Sequence, residues 1–186
     1  MSEDTQVKDG AEVESNEAAQ TDADLAQFAG KYLTFYLGKE EYGLEILKVR
    51  EIIEMMDVTS VPRTPNFIRG VINLRGKVIP VIEIRQKFGL ESVEDTDKTC
   101  IIVVQISRGD TQVKMGVIVD EVSEVLDIST DNLEPSPQFG TSINTDFILA
   151  MGRVDERLIM LLDVDQVLSS GELERLGQME GEDSSE

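Results

Sequence analysis

The chain has no histidine, no tryptophan and a single cysteine in 186 residues. Without histidine it lacks the usual general base near neutral pH and the commonest metal ligand. One cysteine, Cys100, excludes an internal disulfide and fits a reducing compartment. With no histidine beside it, a zinc site and a Cys–His nucleophile are excluded too. Cys100 opens the apolar run Cys100–Val104 and reads as a small buried hydrophobe. Aromatic residues make up only 5% of the chain, so Val, Ile, Leu and Met must build the core.

Basic residues are also scarce. Lys and Arg number 17 against 37 Asp and Glu, a net charge of −20. Nucleic-acid binding depends on neutralising phosphates and is not expected. Binding to an anionic membrane surface is disfavoured for the same reason. No stretch approaches the roughly 20 apolar residues of a membrane helix, so no direct membrane insertion is expected. The N-terminus lacks the basic-then-apolar order of a signal peptide, which leads to the expectation of a cytoplasmic protein. Gly70 and Gly76 are too far apart for a phosphate-cradling loop. The neighbouring acids Asp120 and Glu121 read as a charged strand end rather than a catalytic pair. The expectation is a protein without catalysis, cofactor or metal.

What is present is organised around Asn73-Leu74-Arg75-Gly76-Lys77-Val78-Ile79-Pro80-Val81-Ile82. An apolar approach meets a tight polar turn and then a run of apolar residues. Gly76 sits where a hairpin needs positive φ. Arg75 is thereby held at the turn, before a strand buried on both faces. Pro80 cannot donate a ladder hydrogen bond and implies a strand edge or a bulge.

Along the chain, residues 1 to 28 hold eight acids and one base and read as a disordered acidic tail, with a short helix near Asp22–Phe28 as an alternative. Strands are expected at 32–37 and 42–46, and 47–53 is ambiguous between a helical turn and a strand. Further strands are expected at 67–72, at 78–82, at 100–106 and at 113–119, the last broken at Gly116. A short helix or turn ends near Gly89, and 91–98 is a polar linker. The segment 120–126 mirrors 47–53, and Pro135 and Pro137 mark a loop. A hairpin turns at Asp155-Glu156-Arg157. Val167, Leu168, Leu173 and Leu176 can share one face of a C-terminal helix over about 167–179, followed by an acidic tail at 180–186.

The two halves match in order. Gly43–Ile46 aligns with Gly116–Val119, Val49–Ile52 with Val122–Val125, Phe67-Ile68 with Phe147-Ile148, and Val78–Ile84 with Leu158–Val164. Thr64-Pro65 aligns with Ser136-Pro137, so the offset is 73 or 72 at first and 80 later, and one insertion within 138–146 reconciles them. This implies two similar β-units, about 32–90 and 98–168, each of roughly five short strands, favouring small barrels over an open sheet. Their hairpin tips differ: Arg75-Gly76-Lys77 is basic and Asp155-Glu156-Arg157 is mostly acidic, which suits two different partners.

From about Lys31 to Met179 the chain resembles the CheW family of chemotaxis coupling proteins. The likeness rests on Phe35-x-Leu37-Gly38 with Tyr42-Gly43-Leu44, on Ile46–Ile52, and above all on Thr64-Pro65-x-Phe67-Ile68-x-Gly70-Val71-x-Asn73-Leu74-Arg75-Gly76 with Pro80. Gly116-Val117-x-Val119-Asp120-x-Val122 extends it. The resemblance implies a mainly β fold of two SH3-like five-stranded barrels side by side, with short helices and a C-terminal helix. It also implies a non-catalytic adaptor between transmembrane chemoreceptors and the histidine kinase CheA, peripheral to the inner membrane through receptor arrays. In the family, the cytoplasmic hairpin tip of the receptor docks between the barrels, at positions matching Val49, Glu51, Gly70 and Arg75. Val71 would join Val49 as an apolar floor. The kinase's regulatory domain would bind through residues the resemblance does not assign. A CheW-like scaffold serving pili or another output, and a barrel holding a small ligand, are the alternatives.

Overall fold

The computed structural model describes residues 22–136, 146–179 and 181–182. In chain order these form helix α1 (Asp22–Ala26), strands β1 (Gly30–Leu37), β2 (Glu40–Glu45), β3 (Val49–Glu54), β4 (Ile68–Leu74) and β5 (Lys77–Glu83), and helix α2 (Ile84–Lys87). Then come β6 (Cys100–Arg108), β7 (Thr111–Val119), β8 (Glu121–Ile128), β9 (Leu133–Glu134), β10 (Ile148–Val154), β11 (Arg157–Leu162), helix α3 (Ser170–Met179) and β12 (Gly181–Glu182). The ambiguous segment after β2 is both things in turn: a 3-10 turn at Ile46–Lys48, then β3.

The strands form two sheets, ordered β8-β1-β2-β11-β10-β9 and β12-β5-β7-β6-β3, with β4 on the flank of β5. Setting aside the two-residue strands β9 and β12, each sheet has five strands, as the two SH3-like units require. The hydrogen-bonded order is an open path in each.

The sheets do not follow the halves of the sequence. The expected units, 32–90 and 98–168, would each keep their own strands. Instead β3 leaves β1 and β2 and pairs antiparallel with β6, while β8 pairs antiparallel with β1. In repeat terms β6 matches β1 and β8 matches β3, so the exchange is reciprocal. Equivalent strands carry equivalent apolar patterns, so each can complete the other's sheet. Parallel ladders finish the job: β5 on β7 and β11 on β2.

Alternation along each strand then builds three apolar layers. Tyr32, Ile128, Leu133, Ala150, Ile159 and Leu161 fill the inside of the first sheet. Ile72, Ile79, Val81, Ile101, Val103 and Ile118 fill the inside of the second. A larger cluster between them takes Leu33, Phe35 and Leu44 from one sheet and Ile102, Val104 and Met115 from the other. Strands such as Ile101–Val104 send successive side chains to opposite clusters, so they read as unbroken apolar runs. Each such side chain contributes about 1.5–3 kcal/mol relative to exposure. The inner face of each sheet is thus lined by apolar side chains packed on one another.

Several expectations need correction. β7 runs straight through Gly116, which pairs with Val103 in an unbroken register, and a Cβ there would sit 2.6 Å from the Ile101 Cγ2. The glycine serves packing, not a break. Pro80 is not on an edge: β5 is flanked by β4 on one side and by β7 and β12 on the other. The residue falls in the gap between β12, which pairs with Lys77 and Val78, and β7, which pairs from Val81 onward. The acidic tail expected over 1–28 ends earlier. Residues 22–28 are ordered because Leu25 is buried and Phe28 packs on the first sheet's interior, where the Phe28 carbonyl accepts from the Tyr32 hydroxyl at 2.7 Å; residues 1–21 lie outside the described residues. At the other end Gly181 and Glu182 pair with β5 rather than fray. Val167 and Leu168 are buried as expected but precede α3, which starts only at Ser170. There Ser169 and Glu172 cap the helix reciprocally: the Glu172 N–H donates to the Ser169 hydroxyl at 3.2 Å, and the Ser169 N–H donates to the Glu172 carboxylate at 2.8 Å. Cys100 is half-buried, and burial first, then nearby Glu54, pushes its thiol pKa up, away from nucleophilic character.

Candidate functional site

The opening hairpin, β4 to β5, turns through two residues at positive φ: Arg75 at 55° and Gly76 at 86°. That pair of conformations matches the right-handed twist of the flanking strands. The Asn73 side-chain oxygen accepts from the Gly76 N–H at 2.9 Å and fixes the turn. Arg75 is thus presented at a defined place on the rim of the second sheet.

Opposite it stands Glu51 on β3. Arg75 donates twice to the Glu51 carboxylate, at 2.6 and 3.1 Å. This two-pronged pair closes one wall of a surface concavity of about 240 Å³. Ile79 and Val103 form its apolar floor, and Arg50, Lys77 and Lys114 share its rim. β3 is the last strand of its sheet, and Ile52 on it is 44% exposed. A partner at the concavity therefore meets an open strand edge and the Glu51–Arg75 ion pair, whereas Ile52 alternates to the opposite face of β3.

The expected site residues do not all join this concavity. Glu51 and Arg75 line it. Val49 lies beyond a β-bulge between Val49 and Glu51 and packs on the central cluster. Val71 is half-buried on β4 and bridges to Thr59, whose N–H donates to the Val71 carbonyl at 2.8 Å. Gly70 is buried at φ 148°, and a Cβ there would stand 2.0 Å from the Thr59 carbonyl oxygen. The close backbone approach that glycine permits is made by the chain itself, with Thr59 (a packing role inside the fold). Lys77 belongs to the basic tip Arg75-Gly76-Lys77 that the sequence shows, but Arg50 and Lys114 reach the rim only through the β3–β6–β7 pairing.

The other repeat has its own version. Glu124 on β8, the counterpart of Glu51, meets Arg157 at 3.2 Å, and Arg157 also lies 3.6 Å from Glu41, which is 5% exposed. Asp120 does not act as a free base. Arg85 donates to it at 2.6 and 2.9 Å, the Gly38 N–H donates at 2.7 Å, and the Arg85 hydrogen bond holds its carboxyl below the ordinary carboxylate range. Among the described residues no three His, Cys, Asp or Glu side chains gather to hold a metal ion, and no helix is long and apolar enough to cross a membrane.

The CheW-like domain model matches residues 31–172, which spans both sheets and the whole concavity. The chain belongs to the CheW-like family. Relatives agree across most of their length. The chemotaxis protein CheW of Klebsiella aerogenes is 38% identical over 156 residues, covering 81% of this chain and 92% of the relative. That of Helicobacter pylori is 35% identical over 159 residues, covering 86% and 87%. Among solved structures, the scaffolding protein TtCheW from Thermoanaerobacter tengcongensis superposes with a TM-score of 0.68 at 36% identity, covering 77% of this chain and 95% of that one. The CheW-like match therefore extends over strands β1 to β11, and the acidic residues before position 31 and strand β12 lie outside it.

Proposed function

We propose that this chain is a non-catalytic chemotaxis adaptor that couples the cytoplasmic hairpin tip of transmembrane chemoreceptors to the regulatory domain of the histidine kinase CheA. Membership of the CheW-like family over residues 31–172 carries the reading. The relatives named chemotaxis protein CheW and the solved scaffolding protein support it. The receptor contact is assigned to Glu51 and Arg75 with the exposed β3 edge. Val49, Gly70 and Val71 act from behind, by shaping β3 and β4. The adaptor would sit at the cytoplasmic face of the membrane through receptor arrays, and modest contacts would be strengthened there by multivalency.

The chemistry of this surface agrees with a binding role. The two-pronged Glu51–Arg75 pair is an exposed recognition element of defined geometry. A partner helix laid on an exposed strand edge beside charged groups has its register set by those charges. Co-sedimentation with receptor-bearing membranes, with and without the kinase, tests the proposal. Sedimentation with receptor and recruitment of kinase supports it; failure to sediment with either removes it.

A further inference from the structure

The concavity beside Arg75 is basic on a chain whose net charge is −20. Four cations, Arg50, Arg75, Lys77 and Lys114, line it against one carboxylate, Glu51. Arg75 is engaged with that carboxylate, while Arg50 donates to the neutral side chain of Gln105 at 2.8 Å. The cations therefore outnumber the anion within one small concavity with an Ile79–Val103 floor.

The duplicated surface shows that this is a local property and not a feature of the scaffold. By the offsets of the repeat, Lys114 corresponds to Glu41, Arg75 to Asp155, Lys77 to Arg157, and Glu51 to Glu124. Arg50 corresponds to Ser123. The equivalent place on the other sheet thus has one cation against three carboxylates. Its cation, Arg157, is turned inward onto Glu41 and Glu124. The lining of one copy is mostly basic; that of the other is mostly acidic, and there a Glu41 carboxylate oxygen and the Arg157 Nε are buried without a hydrogen bond.

We infer that the Arg75 concavity selects an acidic partner segment, a helix that places carboxylates toward Arg50, Lys77 and Lys114 and an apolar side chain on the Ile79–Val103 floor. This rests on the docking reading above and adds the charge of the partner to it. A neutral or basic helix gains only the floor, and a basic one is repelled by the rim. Association is then faster and tighter at low salt, because the rim charges are exposed and screened within a Debye length.

The test uses the full chain and two probes. The first is a fluorescent synthetic helix with Glu and Leu on one face, with Gln and Lys analogues as controls. The second is a chemoreceptor hairpin-tip fragment. Anisotropy is read at about 50 mM and about 300 mM salt, which shortens the Debye length roughly twofold. The acidic helix is expected to bind at least about tenfold more tightly than its Lys analogue at the lower salt and to weaken at the higher. Lys77→Glu and Arg50→Glu, both at exposed positions, are expected to erase that preference with unchanged thermal melting. Asp155→Lys on the other sheet leaves it in place. Equal binding of the acidic and Lys helices overturns the inference. So does self-association of the chain at low salt that Lys77→Glu abolishes, because the occupant would then be a second copy.

The receptor fragment separates this inference from the docking reading. If the fragment binds, is weakened by Arg75→Glu, and is indifferent to salt, Lys77→Glu and Arg50→Glu, the inference falls and the docking reading stands. If the acidic helix binds as described and the receptor fragment does not bind, the docking reading falls and the inference stands.

Discussion

Arg85 reaches Asp120, 35 residues away, with two hydrogen bonds at 2.6 and 2.9 Å, at the end of the parallel β5–β7 ladder. The other parallel ladder ends in the same way with the charges exchanged. Asp165, the repeat counterpart of Arg85, accepts from Lys48 at 2.7 Å and from the Ser107 N–H at 2.9 Å. Each pair ties a residue just past a hairpin's second strand to one just past the parallel neighbour. The exchanged strands are thereby locked at both ladders.

This relationship fixes a pH dependence. Arg85 holds the Asp120 carboxyl below its ordinary value, against an opposing effect of burial. A carboxylate whose folded pKa is depressed stabilises the fold fully above its unfolded pKa, about 4, and loses that contribution as pH falls through the folded value. Asp120→Asn is expected to cost about 2 kcal/mol at neutral pH, since it leaves a half-buried guanidinium without its charge partner. The gap between wild type and variant should shrink below about pH 4. Urea unfolding at pH 7 and in the acid range reads it. The comparison must be between variants, because Glu45 and Asp163 are shifted upward, chiefly by burial, and change stability in the opposite sense. A gap that does not change with pH contradicts the assignment.

Gly70→Ala separates packing from recognition. Its Cβ would meet the Thr59 carbonyl, so the Thr59–Val71 bridge must open or the strand must shift. A loss of about 1–3 kcal/mol in denaturant unfolding is expected. Any fall in receptor binding should follow from the displaced strand. An unaltered melting curve with lost binding would place Gly70 in direct partner contact instead.

Much of this was readable in the residues. Period-two and unbroken apolar runs located the strands, and the ordered matches at offsets near 73 and 80 exposed the duplication. Strand partners were not readable. β3 pairs with β6 and not within its own repeat, because equivalent strands offer equivalent apolar faces, and local pattern carries no information about which copy is chosen. The break expected at Gly116 failed for a related reason: glycine in a strand signals either an irregularity or a close neighbour, and Ile101 became a neighbour only once β6 and β7 paired. The Ser169–Glu172 capping box marks the helix start, but Val167 and Leu168 carry the helical apolar stripe past it, so the pattern alone places the start too early. Glu51 and Arg75 were singled out as separate contacts to a receptor, but the fold has them holding each other.

Ser169→Ala tests that cap. It removes the hydroxyl that receives the Glu172 N–H, and a loss of about 1 kcal/mol is expected. Because Leu173 and Leu176 pin α3 to the central cluster, hydrogen exchange in α3 should quicken before exchange in β6 or β7. Uniform quickening across all strands would show that the helix has no independent opening.

Arg75→Glu sets two like charges against each other at an exposed rim. The native pair is worth at most about 1 kcal/mol, because Arg75 is largely in solvent. Global stability should therefore change little. Binding of the receptor fragment is expected to fall about tenfold or more in calorimetry. Unchanged affinity with an intact fold removes Arg75 from the docking site.

The central claim is that one chain holds a receptor and a kinase domain at the same time on different surfaces. Sedimentation velocity of the purified chain with a receptor hairpin-tip fragment and the kinase regulatory domain tests it most directly. The account predicts a three-component complex that forms in either order of addition, with Arg75→Glu releasing the receptor fragment and leaving the kinase domain bound. Displacement of one partner by the other, or release of both by that substitution, would contradict it.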